Sequence, residues 1–373
     1  MQPLAGITVV ALEQAVAAPF ATRQLADLGA RVIKVERPEG DFARGYDERV
    51  RGLSSYFVWC NRSKESITLD LKTPVGLEAL RRLVGRADVF VQNLAPGSTA
   101  RMGFDHASLK AAHPRLIVCD ISGYGGDGPH QTRKAYDLLI QSEAGFLSVT
   151  GDAASPAKAG ISIADIAAGM HAYATILAAL IERGRTGEGR GIDISMLESL
   201  AEWMSFPLYY AFEGAAPPAR AGAEHATIYP YGPFPAADGE VMLGIQNDRE
   251  WTAFCTQVLG DAALASDPRF DLVSRRSENR GALRDIIASA FGGSTVAEVI
   301  AKLDAAGVAN ASVNDMARLW KHPQLQARGR WRTVQTPAGP APAMLPPGLN
   351  VARMDPVPAV GEHTRSILEE LGF

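Results

Sequence analysis

GITVVALEQAVAAPFATRQLADLGARVIKVER, residues 6–37, sets the fold. Its opening, GITVVAL (6–12), is short and apolar throughout, as a strand buried on both faces must be. APFATRQLADLG (18–29) has helical spacing and stops on Gly29, and ARVIKVER (30–37) is a second buried strand. A strand, a helix and another strand in so short a span make a parallel crossover unit. The alternation continues in SITLDL (66–71), PVGLEALRRLVGRA (74–87), DVFVQN (88–93) and LIVCDISG (116–123). It predicts a mostly parallel sheet with helices on its faces. Ligands of such sheets bind beyond the carboxyl ends of the strands. That directs attention to residues 13–19, 93–103 and 123–137.

A chain of 373 residues exceeds what one core usually organises, so two compact units are expected. Hydrophobic residues at 47% and charged residues at 21% argue for a folded protein rather than a disordered one. A net charge of -4 supplies no basic field for nucleic acid or an anionic membrane, so neither is expected as a partner. Cys60, Cys119 and Cys255 are far apart, with no zinc spacing and no disulfide framework, so no metal and a cytoplasmic location are expected. MQPLAGITVVALEQ lacks the basic start and long apolar run of a signal peptide. The most apolar stretch, 164–181, contains Asp165 and His171, which favours a buried helix over a membrane span.

A long helix is expected over about 165–184, followed by RTGEGRG and a strand, GIDISM (191–196). EGAAPPARAGAEH (213–225) reads as a linker, PFPAADGEVMLGIQ (233–246) as a hairpin, and three amphipathic helices follow to about residue 306. TPAGPAPAMLPPG (336–348) is a second Pro-rich passage before a last helix, RSILEELGF (365–373). The expected organisation is a large domain, 1–200, completed by 325–373, and a small domain, 225–320. Segments 201–224 and 321–347 would link them.

GYGGDG (123–128) fits a dinucleotide fingerprint, but Pro129 follows where a helix would have to open, so a turn is the better reading. No P-loop and no G-x-S-x-G elbow occurs. The strongest signal is GISIADIAAGMHAYATILAALIERGRTGEGRGIDISM (160–196). It puts Asp165 in the first turn of a helix, where unpaired N–H groups favour an anion, and follows it with Ala167, Ala168 and Gly169. Such a carboxylate is expected to stay ionised at neutral pH and could attack a thioester. Most aspartates at helix starts do no more than cap the helix.

Several long motifs, in order, carry a resemblance. They are LEQAVAAPFATRQLADLGARVIKVERPEGD, SITLDLKTPVGLEALRRL, DVFVQNLAPGSTARMGF, GYGGDGP, KAYDLLIQSEAGFLSVTG, the Asp165 segment, GVANASVNDMARLWKHPQLQARG and GEHTRSILEELG. From Leu4 to the C-terminus the chain resembles the class III coenzyme A transferases, the family of formyl-CoA transferase, carnitine CoA-transferase and α-methylacyl-CoA racemase. The resemblance implies an α/β enzyme with a large Rossmann-like parallel-sheet domain, a smaller inserted α+β domain and an interlocked homodimer. It implies Asp165 as the nucleophile, passing through an acyl–aspartyl anhydride and an aspartyl-CoA thioester. No permanently bound cofactor is implied; coenzyme A arrives as acyl-CoA substrate.

By the same resemblance Gln14 and Ala15 lie against the CoA thiol arm and the reacting carbonyl. Arg37, Leu69 and Lys72 match nucleotide contacts, and Asn93, Leu94, Arg101 and Met102 match the loop around the ADP moiety. Lys134 and Tyr136 match residues on the pantetheine and near the nucleophile. Alone, each lysine or arginine reads as a solvated surface charge; together they could serve the phosphates of CoA.

Two departures favour transferase over racemase. Racemases of the family carry a histidine where Tyr136 precedes Asp137, and a glutamate where the nearest match is Asn247. A phenol and an amide are poor acid–base groups for moving an α-proton. The glycine-run loop of formyl-CoA transferase has no counterpart near 244–248. The expected reaction is CoA transfer from an acyl-CoA, with succinyl-CoA first to test, to a small carboxylic or dicarboxylic acid. The alternative is a racemase-type isomerase. His130, Arg133 and Gln246 fit an acyl pocket or a plain surface equally well.

Overall fold

The computed structural model describes residues 2–373. Six strands form one parallel sheet: β1 (Thr8–Leu12), β2 (Arg31–Glu36), β3 (Lys64–Thr68), β4 (Val89–Gln92), β5 (Ile117–Ser122) and β6 (Gly191–Ser195). Their order across the sheet is β3-β2-β1-β4-β5-β6, so the winding reverses between β1 and β4. This is the Rossmann-type order, and the reversal opens a crevice outside the carboxyl ends of those two strands. The apolar runs read as strands are buried because helices cover both faces: Val9, Val10, Phe90 and Val91 are wholly inaccessible. β3 starts two residues earlier than its apolar pattern suggests, since Lys64 and Ser66 are polar residues buried by specific partners.

The chain divides into two compact units. Met1–Gly145, Ala159–Ser205 and Gln324–Phe373 make the first, and its core includes Ile367 and Leu371 from the C-terminal helix Thr364–Leu371. Phe146–Lys158 and Phe206–Pro323 make the second. The short early segment belongs there because Gly222 donates to the Gly151 carbonyl (2.7 Å) and Arg220 to that of Asp152 (2.8 Å). The second unit holds an antiparallel sheet of β7 (Tyr231–Ala236), β8 (Gly239–Gly244) and β9 (Ala309–Ser312), over a core that includes Trp251, Phe270, Ile287 and Leu303.

Within the stretch read as a second linker, β10 (Trp331–Thr336) and β11 (Gly339–Met344) pair as an antiparallel hairpin in the first unit. Prolines hid it. Pro340 and Pro342 sit on the exposed side, while Ala341 faces buried Val334. Alternate residues turn their N–H groups away from the partner strand, so prolines at every second position cost no ladder bonds.

The long helix runs Ile163–Thr186 and ends on Gly187 in the left-handed region. It is long and apolar enough to cross a membrane by length and composition. Its buried stripe, Ala164, Ala167, Ala168, Ala172, Ile176 and Ala179, accounts for that apolarity inside the first unit. Helix Ala17–Asp27 crosses it at Gly169, where an added Cβ would stand 2.7 Å from the Ala17 carbonyl and 2.9 Å from the Phe20 ring. Gly169→Ala should therefore destabilise by about 1–3 kcal/mol, read as a lower urea midpoint at unchanged slope. Gly184, on the same helix with nothing within 4 Å, is the contrast. Gly184→Ala should stabilise by about 0.5–1 kcal/mol.

Candidate active site

The site is built at the β1–β4 crevice. Beyond Leu12 the Gln14 N–H donates to Asn93 Oδ1 (2.9 Å), and Asn93 Nδ2 donates back to the Gln14 carbonyl (2.8 Å). Ala15 follows at φ 61°, a conformation L residues adopt only under constraint. Its N–H donates to Asp41 Oδ1 (3.2 Å). Three of the residues named from sequence, Gln14, Ala15 and Asn93, are thus brought together, and the backbone N–H groups of both loop residues are engaged.

Beneath the loop lies a cluster of charges wholly out of water. Lys34 Nζ meets Asp41 Oδ2 at 2.9 Å, the Glu13 carbonyl at 3.3 Å and Glu13 Oε1 at 3.6 Å. Lys64 Nζ donates to Glu13 Oε1 (2.6 Å), and Thr22 Oγ1 donates to Glu13 Oε2 (2.6 Å). Burial opposes the charge on Lys34, but Glu13, Asp41 and Glu36 outweigh it and hold the pKa above the ordinary lysine value. Burial dominates at Lys64 and brings it down to about 8. At Glu36, burial is overcome by Arg44, Lys34 and Ser66, which hold it at about 2.

Asp165 occupies the first turn of the long helix, half-buried. The cap is another carboxylate: Asp137 Oδ1 accepts from the N–H groups of Ala164 (2.8 Å) and Asp165 (3.3 Å). Asp137 opens helix Asp137–Glu143, and Gln141 Nε2 holds its Oδ2 at 2.6 Å. From sequence Asp165 is expected to stay ionised at neutral pH; its surroundings leave it only partly ionised there. Burial, then the charge of Asp137, raise it to about 7. The helix end cannot compensate, because Asp137 holds the N–H groups of Ala164 and Asp165 and the Ile161 carbonyl holds that of Ile163. Tyr46 shares this neighbourhood: burial, then Asp41, Asp165 and Tyr136, push its phenol up to about 12. Its ring lies edge-on to Tyr56 at 5.4 Å. Tyr136, next to the capping aspartate, is 68% exposed.

The other predicted residues follow the carboxyl ends of their strands, on one edge of the sheet: Arg37 after β2, Leu69 and Lys72 after β3, Leu94 after β4, Lys134 beyond β5. Arg101 ends the short helix Ser98–Arg101 and donates to Ser98 Oγ (3.0 Å). Arg37, Lys72, Arg101 and Lys134 are exposed, and no hydrogen bond or ion pair joins one to another among the described residues. Leu69 is buried in the core and Leu94 and Met102 pack on it. GYGGDG is a turn, with Gly125 at φ 92° and the Gly126 N–H on Asp193 Oδ2 (2.7 Å); no helix opens there.

Arg133 pairs with Glu143 (2.7 Å) and lies over the Tyr124 ring, where His130 also packs edge-on. Its charge is already partnered. Gln246 and Asn247 belong to the second unit, and Asn247 Oδ1 caps helix Asp248–Ala253 through the Glu250 N–H (2.9 Å). Among the described residues no group of three or more His, Cys, Asp or Glu could hold a metal ion. Sequence reasoning missed the capping role of Asp137, and it missed Tyr46 and the Glu13–Lys34–Asp41–Lys64 cluster altogether. The one available signal was the four-residue spacing of Asp137 and Gln141 on a helix face.

A Rossmann-ordered sheet with a half-buried carboxylate at the start of an alanine-rich helix suits an acyl-transfer enzyme, and relatives narrow the class. The sequence pattern of CoA-transferase family III matches residues 4–364, and the chain belongs to that family as a class III CoA-transferase. It is 35% identical over 390 residues to the succinate–glutarate CoA-transferase of Agrobacterium fabrum, covering 99% of this chain and 96% of that one. The mouse succinyl-CoA:glutarate CoA-transferase is 32% identical, with 100% and 87% covered. Among solved structures, a CAIB/BAIF family protein from Brucella suis superposes with a TM-score of 0.87 at 35% identity, covering 99% of each chain.

A carboxylate whose folded pKa is raised binds its proton more tightly when folded. Asp165 therefore costs stability as pH rises from its ordinary 3.8 through about 7. Asp165→Asn should be more stable than the parent at pH 8, and the gap should close toward pH 4. Urea midpoints at the two pH values check the sign.

Proposed function

We propose that this enzyme moves CoA from succinyl-CoA to a small dicarboxylic acid, with Asp165 carrying the group. The observation that carries the reading is Asp165 itself: a half-buried carboxylate with no cation on it among the described residues, at the start of a helix whose buried stripe is alanine-rich. Attack by its oxygen on the thioester carbon forms a C–O bond as the C–S bond breaks. That gives an acyl–aspartyl anhydride and CoA thiolate. The thiolate then attacks the aspartyl carbonyl, the donor acid leaves as a carboxylate, and an aspartyl-CoA thioester remains. The acceptor acid reverses the sequence. Each step exchanges one activated acyl bond for another, so no nucleotide hydrolysis is required.

The succinyl donor and dicarboxylate acceptor follow the names of the A. fabrum and mouse relatives. The Gln14 carboxamide is the free polar end of a loop whose N–H groups are engaged, which suits it to the reacting carbonyl. Tyr136, one residue before Asp137, would stand near the nucleophile. Ala15, Leu69, Asn93, Leu94 and Met102 would line the coenzyme, with Arg37, Lys72, Arg101 and Lys134 toward its phosphates. Exposed Leu138, Leu139, Ile161, Ile181 and Trp203 support the homodimer implied for the family. Cytoplasmic location belongs to the same reading.

Asp165→Ala should lower kcat by about 10³-fold or more while the variant stays folded. Hydroxylamine should inactivate the parent only after preincubation with succinyl-CoA, and peptide mapping should place the hydroxamate on Asp165. An adduct on any other residue defeats the assignment. Sedimentation should give twice the 39.7 kDa chain mass; a monomer at working concentration would remove the homodimer.

A further inference from the structure

Two aspartates share one helix start, and only one is needed for acyl transfer. Asp137 is clamped: its Oδ1 takes the N–H groups of Ala164 and Asp165, and its Oδ2 takes Gln141 Nε2. Gln141 is itself fixed by the Ala159 N–H, 2.9 Å from its Oε1. The clamp has a chemical consequence. Helix N-terminal N–H groups normally stabilise an anion in the first turn, and here they are spent on Asp137.

We propose that Asp137 is a positioning residue that sets the charge of Asp165, withholding the helix-end N–H groups from it and placing a negative charge alongside. It thereby favours every state in which Asp165 is uncharged: protonated at rest, acylated in turnover. This rests on Asp165 being the acyl carrier. When Asp165 attacks, its negative charge passes to the CoA thiolate, and later to the departing donor acid. Both adducts, anhydride and thioester, relieve the repulsion with Asp137. The same repulsion that favours the proton therefore favours the covalent intermediate over the free carboxylate pair.

The charges around this pair leave Asp137 as the controlling one. Tyr136 and Tyr46 are the phenols nearby. Elements packed on the long helix carry Arg23 and Asp27 on Ala17–Asp27, Asp120 and Asp193 on β5 and β6, and Glu198 and Glu202 on Met196–Trp203. Arg23 is tied to Asp27 at 3.0 Å, and Asp120 to Gln92 at 2.8 Å. Among the described residues, burial and then the negative charge of Asp137 are what raise Asp165.

The test uses the full-length enzyme with Asp137→Asn and Asp137→Ser, two neutral residues that still cap helices, and Asp137→Glu, which keeps the charge. Difference infrared spectroscopy of each against its Asp165→Asn counterpart follows the Asp165 carboxyl through a pH titration without turnover. The parent should titrate at about 7, and the Glu variant should stay near it. The neutral variants should fall by about one unit or more, with the aspartyl-CoA adduct trapped from succinyl-CoA reduced about tenfold. A titration unmoved in both neutral variants overturns the role of Asp137, even if the adduct still forms on Asp165. A shifted titration with no adduct in any enzyme instead defeats the acyl-carrier reading, and the turnover half of this proposal with it. If Asn or Ser fails to fold, the other neutral variant decides.

Discussion

Lys34 carries a positive charge where no water reaches, and the geometry of the crevice depends on the carboxylates that make this possible. A buried ammonium is tolerable only with well-placed partners, and removing one of them costs about 3–5 kcal/mol. Glu13 and Asp41 are those partners, and each has a second duty. Glu13 also binds Lys64 and Thr22, fixing the chain where β1 leaves the sheet. Asp41 uses its other oxygen on the Ala15 N–H and so holds a left-handed residue in place. Replacing the whole cluster with apolar groups could preserve stability, but it would abolish the strained turn that follows Gln14. The charges specify a conformation more than they stabilise a fold.

From that turn the constraint passes to Asp165 through packing. Helix Ala17–Asp27 begins directly after the loop and crosses the long helix at Gly169, four residues beyond Asp165. A backbone carbonyl set against a glycine leaves little freedom to slide, since interiors pack at crystal-like density. Gln14 and Asp165 are therefore positioned by one rigid pair of helices, with Asp137 locking the start of the second. Rigidity of this kind suits covalent exchange, in which the attacking oxygen and the thioester carbon must be brought close in the right orientation.

The sheet is legible in the sequence because its strands are buried on both faces, and short apolar runs such as VVAL (9–12) and VFVQ (89–92), bounded by turns, suit a doubly covered strand better than any exposed element. An apolar pattern starts β3 too late, because Lys64 enters the strand on the strength of Glu13, far away in sequence. The hairpin at 331–344 is masked because proline marks linkers by composition, and its tolerance depends on strand parity, which composition does not show. Asp165 stands out through resemblance and helix position. Its charge state does not. That depends on Asp137, 28 residues earlier, reaching the same helix end, and a one-dimensional reading assigns the N–H groups of a helix start to its own first-turn acid.

With Asp165 as the proposed acyl carrier, its raised pKa also bears on how thioester exchange is balanced. A fully stabilised aspartate, cradled by helix N–H groups, would be a comfortable leaving group and a reluctant nucleophile: its anhydride would collapse back to carboxylate too readily. A carboxylate deprived of those donors and set against another anion has a higher-energy ground state and gains more on acylation. Because the overall exchange of CoA between acids is close to thermoneutral, no external driving force corrects an intermediate that lies too low or too high. Tuning must come from the enzyme's own residues, and the carboxylate pair at the start of Ile163–Thr186 is where this structure can supply it.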